Sequence, residues 1–266
     1  MKKHRRPTVA DLLAEKGKRQ LTMLRVTTLE EAEAAERAGI DIVSVPPSLL
    51  GPVFRDAAPS VFAIPGLEYG EVITPDENLG AAFNAIRAGA DAVYCAASLR
   101  VIRRLSEEGI PVCGHVGLIP SKATWTGGFR AVGKTAESAI GVWRQVKALE
   151  DAGAFAAEIE VVPTQVAAAI AKKTSLVMIS MGAGTGCDAQ YLFADDVLGQ
   201  NRGHFPRHAK AYRNFAAEYN RLQDDRVAAF REYAEDVRSG AYPEEKHLVG
   251  INIEEMSAFL RMLDQA

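Results

Sequence analysis

Short β-rich runs alternate with Ala-, Glu- and Arg-rich helical runs along most of the chain, and glycines or prolines stand at the joins. Repeated βα units whose strands are apolar on both faces form a parallel sheet with helices packed outside. Strand-like segments fall at 21–26, 41–45, 60–64, 91–96, 111–116, 155–162 and 176–181. Helical segments between them fall at 28–38, 74–88, 98–108, 135–152 and 164–173. The third-strand connection is the most explicit: Thr74 is placed to cap, Pro75 to occupy the first helical position, and Asp76 and Glu77 to meet the positive end of the dipole. In 135–152, Ala139, Val142, Trp143, Val146 and Leu149 recur at three- and four-residue spacing, one buried stripe. Seven such strands without a dinucleotide fingerprint favour a closed (β/α)8 TIM barrel over an open sheet. No linker or composition break divides 1–266. The expectation is one α/β domain, with an N-terminal helix at about 8–16 and a helical extension at about 221–266.

Composition removes several function classes. The 266 residues carry 31 Lys+Arg against 34 Asp+Glu, a net charge of −3, which is no footprint for binding nucleic acid. No apolar run approaches the roughly 18 to 20 residues of a membrane span. The basic start Lys2–Arg6 lacks a following apolar stretch, so it does not read as a signal peptide. Cys95, Cys113 and Cys187 are odd in number and widely spaced, which fits reduced thiols in a cytoplasm.

In a barrel, reactive groups sit at the C-terminal ends of the strands. That rule selects 46–48, 65–68, 94–97, 113–115, 158–160 and 182–184. His115 stands at a strand end ahead of a glycine-rich loop; it can orient or protonate a reacting oxygen, or simply be satisfied by backbone at the rim. Glu158 and Glu160 lie two apart on one strand and so share a face, roughly 6 to 7 Å apart. Inside a barrel, burial and mutual repulsion would raise at least one of their pKa values; for Glu158, pairing with an arginine or lysine is the favoured reading. Gly182–Gly186 resembles a phosphate cradle but breaks the dinucleotide spacing at Cys187, and reads better as a tight strand-to-helix turn. His204 and His208 have the i, i+4 spacing of a helical zinc pair, with no third ligand apparent. Lys122 reads as a surface lysine rather than a Schiff-base former.

Several segments together resemble the ketopantoate hydroxymethyltransferase family, of the phosphoenolpyruvate mutase/isocitrate lyase superfamily of barrels. They are 111–120 (Pro-Val-Cys-Gly-His-Val-Gly-Leu-Ile-Pro), 127–133, 160–163 (Glu-Val-Val-Pro), 182–184 with Asp188 and Gln190, 203–206 with Lys210, and 239–243. Their order and spacing match from about Leu12 to His247. The resemblance implies deprotonation at C3 of a 2-oxo acid and transfer of a hydroxymethyl group from methylenetetrahydrofolate, with Mg2+ chelated by the oxo acid. It implies Glu160 as the base, Ser48 as a substrate contact, His115 as the loop histidine, and a ring-like homo-oligomer.

The departures fall at the metal. The family's two metal-binding aspartates and its metal-associated glutamate align with Pro47, Gly66 and Ala96, and its active-site lysine with Tyr94. None of the first three can ligate Mg2+ through a side chain. A metal-free oxyanion site would then be built from Tyr94, Ser48, His115 or backbone N–H groups, and Glu68 or Glu71 is a further place for a relocated carboxylate. Cys95, beside Tyr94, points to the other face and reads as packing. The expectation is therefore a cytoplasmic, divergent enzyme acting on a small 2-oxo acid-like substrate, with Glu160, His115 and Tyr94 catalytic and Ser48, Gly66, Ala96 and Glu158 contacting substrate. No metal site or cofactor is expected; Mg2+ and methylenetetrahydrofolate enter only if the orthodox activity is retained. The other readings are a metal-independent lyase or hydrolase of another carbonyl compound and a non-catalytic metabolite-binding paralogue. The stripe of Met256, Phe259, Leu260 and Leu263 on 253–263 would pack on a neighbouring subunit or cap its own barrel.

Overall fold

Alternation along each strand decides the architecture, because it sends successive side chains to opposite sides of the sheet. The computed structural model describes residues 5–67 and 70–266, in two compact units whose boundary along the chain falls between Arg213 and Asn214. The first unit runs α1 (Val9–Glu15), β1 (Leu21–Arg25), α2 (Leu29–Ala38), β2 (Ile42–Val45), α3 (Pro52–Ala57), β3 (Phe62–Pro65), α4 (Pro75–Arg87) and β4 (Val93–Tyr94). It continues with α5 (Leu99–Glu107), β5 (Val112–Gly117), α6 (Ala123–Thr126), α7 (Ala136–Asp151), β6 (Ala156–Glu160), α8 (Thr164–Ala171), β7 (Val177–Met181), β8 (Ala189–Phe193) and α9 (Ala194–Leu198).

All the strand pairs are parallel, in the order β3-β2-β1-β8-β7-β6-β5-β4. A bridge between Gly66 and Tyr94 joins the two ends of that order, so the eight strands form a nearly closed (β/α)8 barrel. One face of the strands fills the interior: Leu21, Met23, Ile42, Phe62, Ile64, Cys113, Ile179 and Tyr191 belong to one cluster. The other face packs under the helices, where Cys95, Val116 and Ile159 meet Val101, Val142 and Val146. Each large side chain so buried contributes about 1.5 to 3 kcal/mol.

Helix starts follow local chemistry. Thr74 Oγ accepts from the Glu77 N–H at 3.2 Å, the cap that the sequence suggests, and the Glu77 carboxylate makes it reciprocal by accepting from the Thr74 N–H at 2.7 Å. Thr8 and Asp11 make the same arrangement at α1. That helix sends Leu12 into the interior cluster, and Lys16 just beyond it pairs with Asp188 at 2.6 Å.

The expected strand-to-helix turn after β7 is not there. Residues 182–188 fold back along β7 and lead straight into β8, an eighth strand that the βα alternation does not announce. Close packing explains the glycines: a Cβ on Gly186 would sit 2.3 Å from the Cβ of Ala168 on α8. The loop is tied down by Gln190, whose amide donates to the Gly184 carbonyl at 2.9 Å, and by Asp188, which accepts from the Met178 N–H at 2.8 Å. His204 and His208 lie on an irregular segment rather than a helix, because Pro206 interrupts it.

The second unit consists of α10 (Phe215–Ser239) and α11 (Ile253–Leu263). The helix expected from about 221 starts earlier, where the Asn214 side chain caps it by accepting from the Ala217 N–H. Among the described residues no helix is long and apolar enough to cross a membrane.

Candidate active site

At the C-terminal end of the barrel the inward ladder changes from apolar to polar. Arg25 ends β1, Ser44 lies on β2, Gly66 and Tyr94 sit where β3 and β4 meet, His115 lies on β5, and Glu158 and Glu160 lie on β6. All of them line a single cavity of about 920 Å3, roofed by the loop after β5 and by residues 204–208.

β5 and β6 pair with His115 opposite Glu158, which places an imidazole against a carboxyl group. The side chains of His115, Glu158 and Glu160 are 2%, 6% and 10% exposed. His115 Nδ1 lies 2.7 Å from the Tyr94 hydroxyl and 3.5 Å from Glu158 Oε2, and Nε2 lies 3.2 Å from Glu160 Oε2. Burial, with the Glu158 carboxylate second, pushes the Tyr94 phenol far above its ordinary value, so it keeps its proton and has it available for Nδ1. In the tautomer whose Nδ1 accepts that proton, His115 carries its own on Nε2. That atom is buried and makes no hydrogen bond, because the nearby Glu160 oxygen lies off its donor direction. Burial also raises the Glu158 carboxyl to about 7, a rise that Glu160 augments and that His115 and Arg25 oppose.

The next residue, Val161, has φ of 49°, a left-handed conformation unusual for a β-branched side chain. Its N–H donates to the Met181 carbonyl at 2.9 Å, and its own carbonyl accepts from Val132 at 3.1 Å. Strain is thus held directly beside Glu160, by a strand on one side and the roofing loop on the other.

The cavity gathers most of the residues singled out in the sequence. Pro47, Gly66 and Ala96 all line it, as do Tyr94, His115, Glu158, Glu160, His204 and His208. Ser48 does not: Pro46 and Pro47 carry the chain over the rim into a short 3-10 turn that leaves Ser48 exposed, and Ser44 occupies the wall instead. Glu68 lies outside the described residues, and Glu71 is exposed and away from the cavity. Lys122 is half-buried rather than a surface lysine; its ammonium donates to the Ala96 carbonyl at 2.7 Å and ties the roofing loop to the end of β4. Among the described residues no three His, Cys, Asp or Glu side chains are grouped to hold a metal ion. Burial raises the thiols of Cys95, Cys113 and Cys187, the last to about 12, so all three act as packing.

A sequence profile of ketopantoate hydroxymethyltransferase matches residues 52–245. The 3-methyl-2-oxobutanoate hydroxymethyltransferase of Kosmotoga olearia is 34% identical over 261 residues, covering 88% of this chain and 94% of that one. That of Pyrobaculum islandicum is 34% identical over 267 residues, covering 91% and 98%. The chain belongs to the ketopantoate hydroxymethyltransferase family. Its members are named as transferases, so the fold carries an enzyme scaffold. The fold also resembles that of 2,3-dimethylmalate lyase, a phosphoenolpyruvate mutase/isocitrate lyase superfamily member, with a TM-score of 0.51 at 15% identity over 96% of this chain and 98% of that one.

Two cavity residues escape both the strand-end rule as applied to the sequence and the hydroxymethyltransferase-like motifs. Arg25 and Ser44 belong to no motif that draws attention. The available signal is parity: Leu21, Met23 and Arg25 alternate with Thr22 and Leu24, so a charged residue closes an otherwise apolar inward row.

Proposed function

We propose that the chain makes or breaks a carbon–carbon bond beside the carbonyl of a small 2-oxo acid-like compound, by proton abstraction and enolate stabilisation without the family's metal. The observation that carries this is the unpartnered, buried Nε2 of His115, 3.2 Å from Glu160. Glu160 takes the proton from C3 of the substrate, the C–H electron pair becomes the C2–C3 double bond, and charge develops on the oxo oxygen. A positioned Nε2–H is the donor that oxygen needs, and Tyr94 fixes the tautomer that supplies it. Glu160 is the last residue of β6 and the more exposed of the two glutamates, which favours it over Glu158 as the base.

Mg2+ wants an octahedron of hard oxygens. Pro47, Gly66 and Ala96 line the cavity without offering a side-chain oxygen, and of the three carboxyl groups that do lie there, Glu158 and Glu160 face His115 while Asp196 accepts from the Asn201 amide. The residues do not fit the ion. Methylenetetrahydrofolate, which supplies a one-carbon unit when bound, fits better: Phe129, Arg130 and Lys134 at the mouth suit a flat ring with an anionic tail. The same reading places the enzyme in the cytoplasm, supported by three unpaired, buried cysteines. It also carries a ring-like homo-oligomer, with α11 as the candidate contact.

The test is loss of the C3 proton of 3-methyl-2-oxobutanoate in D2O, followed by proton NMR on metal-stripped protein. Exchange should proceed in a chelator and fall by about 100-fold or more in Glu160→Gln. Exchange that appears only with added Mg2+ would overturn the metal-free mechanism, and none under either condition would overturn the reaction itself.

A further inference from the structure

Arg25 is the one cation lining the cavity that is not exposed, among the described residues; Arg130, Lys134 and Arg207 all lie at its solvent side. It ends β1, and in the barrel order β1 is separated from β6 by β8 and β7, so it faces the His115–Glu160 pair from across the cavity. Its guanidinium makes one hydrogen bond, from Nη1 to Ser44 Oγ at 3.3 Å, and has the Phe193 ring 6.0 Å away. No described carboxylate lies within ion-pairing distance of it.

A guanidinium has five N–H donors in a planar fork. Arg55, an arginine of the barrel that is also largely buried, contrasts with it, spending its donors on Gly89, Val61 and Asp91. Leaving most of a half-buried fork unused is costly unless an anion arrives to use it. Glu158 lies close enough for the Arg25 charge to oppose the rise of its pKa, yet not close enough to occupy the fork.

We propose that Arg25, steadied by Ser44, binds the carboxylate of the substrate in a forked contact, opposite the histidine that meets its oxo oxygen. This deepens the functional reading above and rests on it. In this barrel the positive charge that anchors the acid comes from a β1 side chain, and specificity for an acid over a neutral carbonyl compound resides there. A planar carboxylate fits two parallel N–H donors, whereas an amide offers only one acceptor and brings its own donors against the guanidinium.

Calorimetric titration of 3-methyl-2-oxobutanoate and of its neutral amide separates the possibilities. Wild type should prefer the acid. Arg25→Gln should weaken acid binding by about 10- to 100-fold and leave amide binding unchanged, so that the preference disappears. Arg25→Lys, which keeps the charge and loses the fork, should recover part of it; this variant carries the test if Arg25→Gln does not fold. A folded Arg25→Gln protein that keeps the acid preference, or an Arg25→Lys protein equal to wild type, would overturn the forked contact. Wild-type C3 exchange persisting beside that result would leave the reaction standing, whereas wild type binding neither compound would overturn both.

Discussion

Burial lifts the carboxyl group of Glu158 to about 7, against 4.5 for an ordinary glutamate, and the consequence for stability has a definite sign. Between those values the folded chain holds a proton that the unfolded chain has released, so stability falls as pH rises from about 4.5 to 7 and then levels off. The full cost above pH 7 is at most about 3 kcal/mol. Glu158→Gln keeps the shape and never ionises. It should match wild type near pH 4.5, lack the decline, and melt several degrees higher at pH 8. Scanning calorimetry of both proteins across that range checks it; parallel curves would show that Glu158 ionises without penalty and that the low-dielectric account of the site is wrong. The Arg25 charge, which favours the carboxylate that burial opposes, offsets part of that cost.

The junction of β5 and β6 is where an element's path, rather than a side chain, shapes the site. Gly117 has φ of +85°, and a Cβ there would lie 2.5 Å from the Glu160 carbonyl oxygen and 2.8 Å from Val162. That same carbonyl accepts from the Leu118 N–H at 2.9 Å, so the loop leaving β5 runs directly against the end of β6. Gly117→Ala should cost about 2 to 4 kcal/mol in denaturant unfolding and displace Glu160. Gly80→Ala in α4, where nothing approaches within 4 Å, should instead stabilise by about 0.5 to 1 kcal/mol. Equal effects of the two would remove the steric argument. The contrast also shows what the sequence discloses at this scale. Helix starts at Thr74 and Thr28 are legible because capping needs only neighbours in sequence. Strand β8 is not, because its partner β1 is distant in sequence and no helix precedes it to mark the repeat. Likewise His115 and Glu160 announce themselves by residue type, but that Tyr94 reaches Nδ1 and Ser44 replaces Ser48 on the wall depends on how the strand ends meet in space.

The barrel divides its tasks between its ends. At the N-terminal end, Leu12 of α1 is buried in the interior cluster and Lys16 pairs with a nearly buried Asp188, which in turn accepts from β7. At the C-terminal end, unsatisfied donors and a raised carboxyl group are left in a cavity, each a cost to folding that chemistry can use. Damage at one end should therefore leave the other's property alone. Leu12→Ala should lose about 2 to 4 kcal/mol through the cavity it opens, and Lys16→Ala about 1 to 3 kcal/mol by stranding the Asp188 carboxylate. Both should keep wild-type affinity for the oxo acid. His115→Gln should do the reverse, losing no more than the about 0.5 to 1.5 kcal/mol of the Tyr94 hydrogen bond while binding and exchange collapse. Melting curves and titrations on the three variants decide the matter: affinity falling in step with stability in Leu12→Ala would mean that the interior is one coupled unit, and that the strands transmit strain along their length to Glu158 and His115 rather than isolating them.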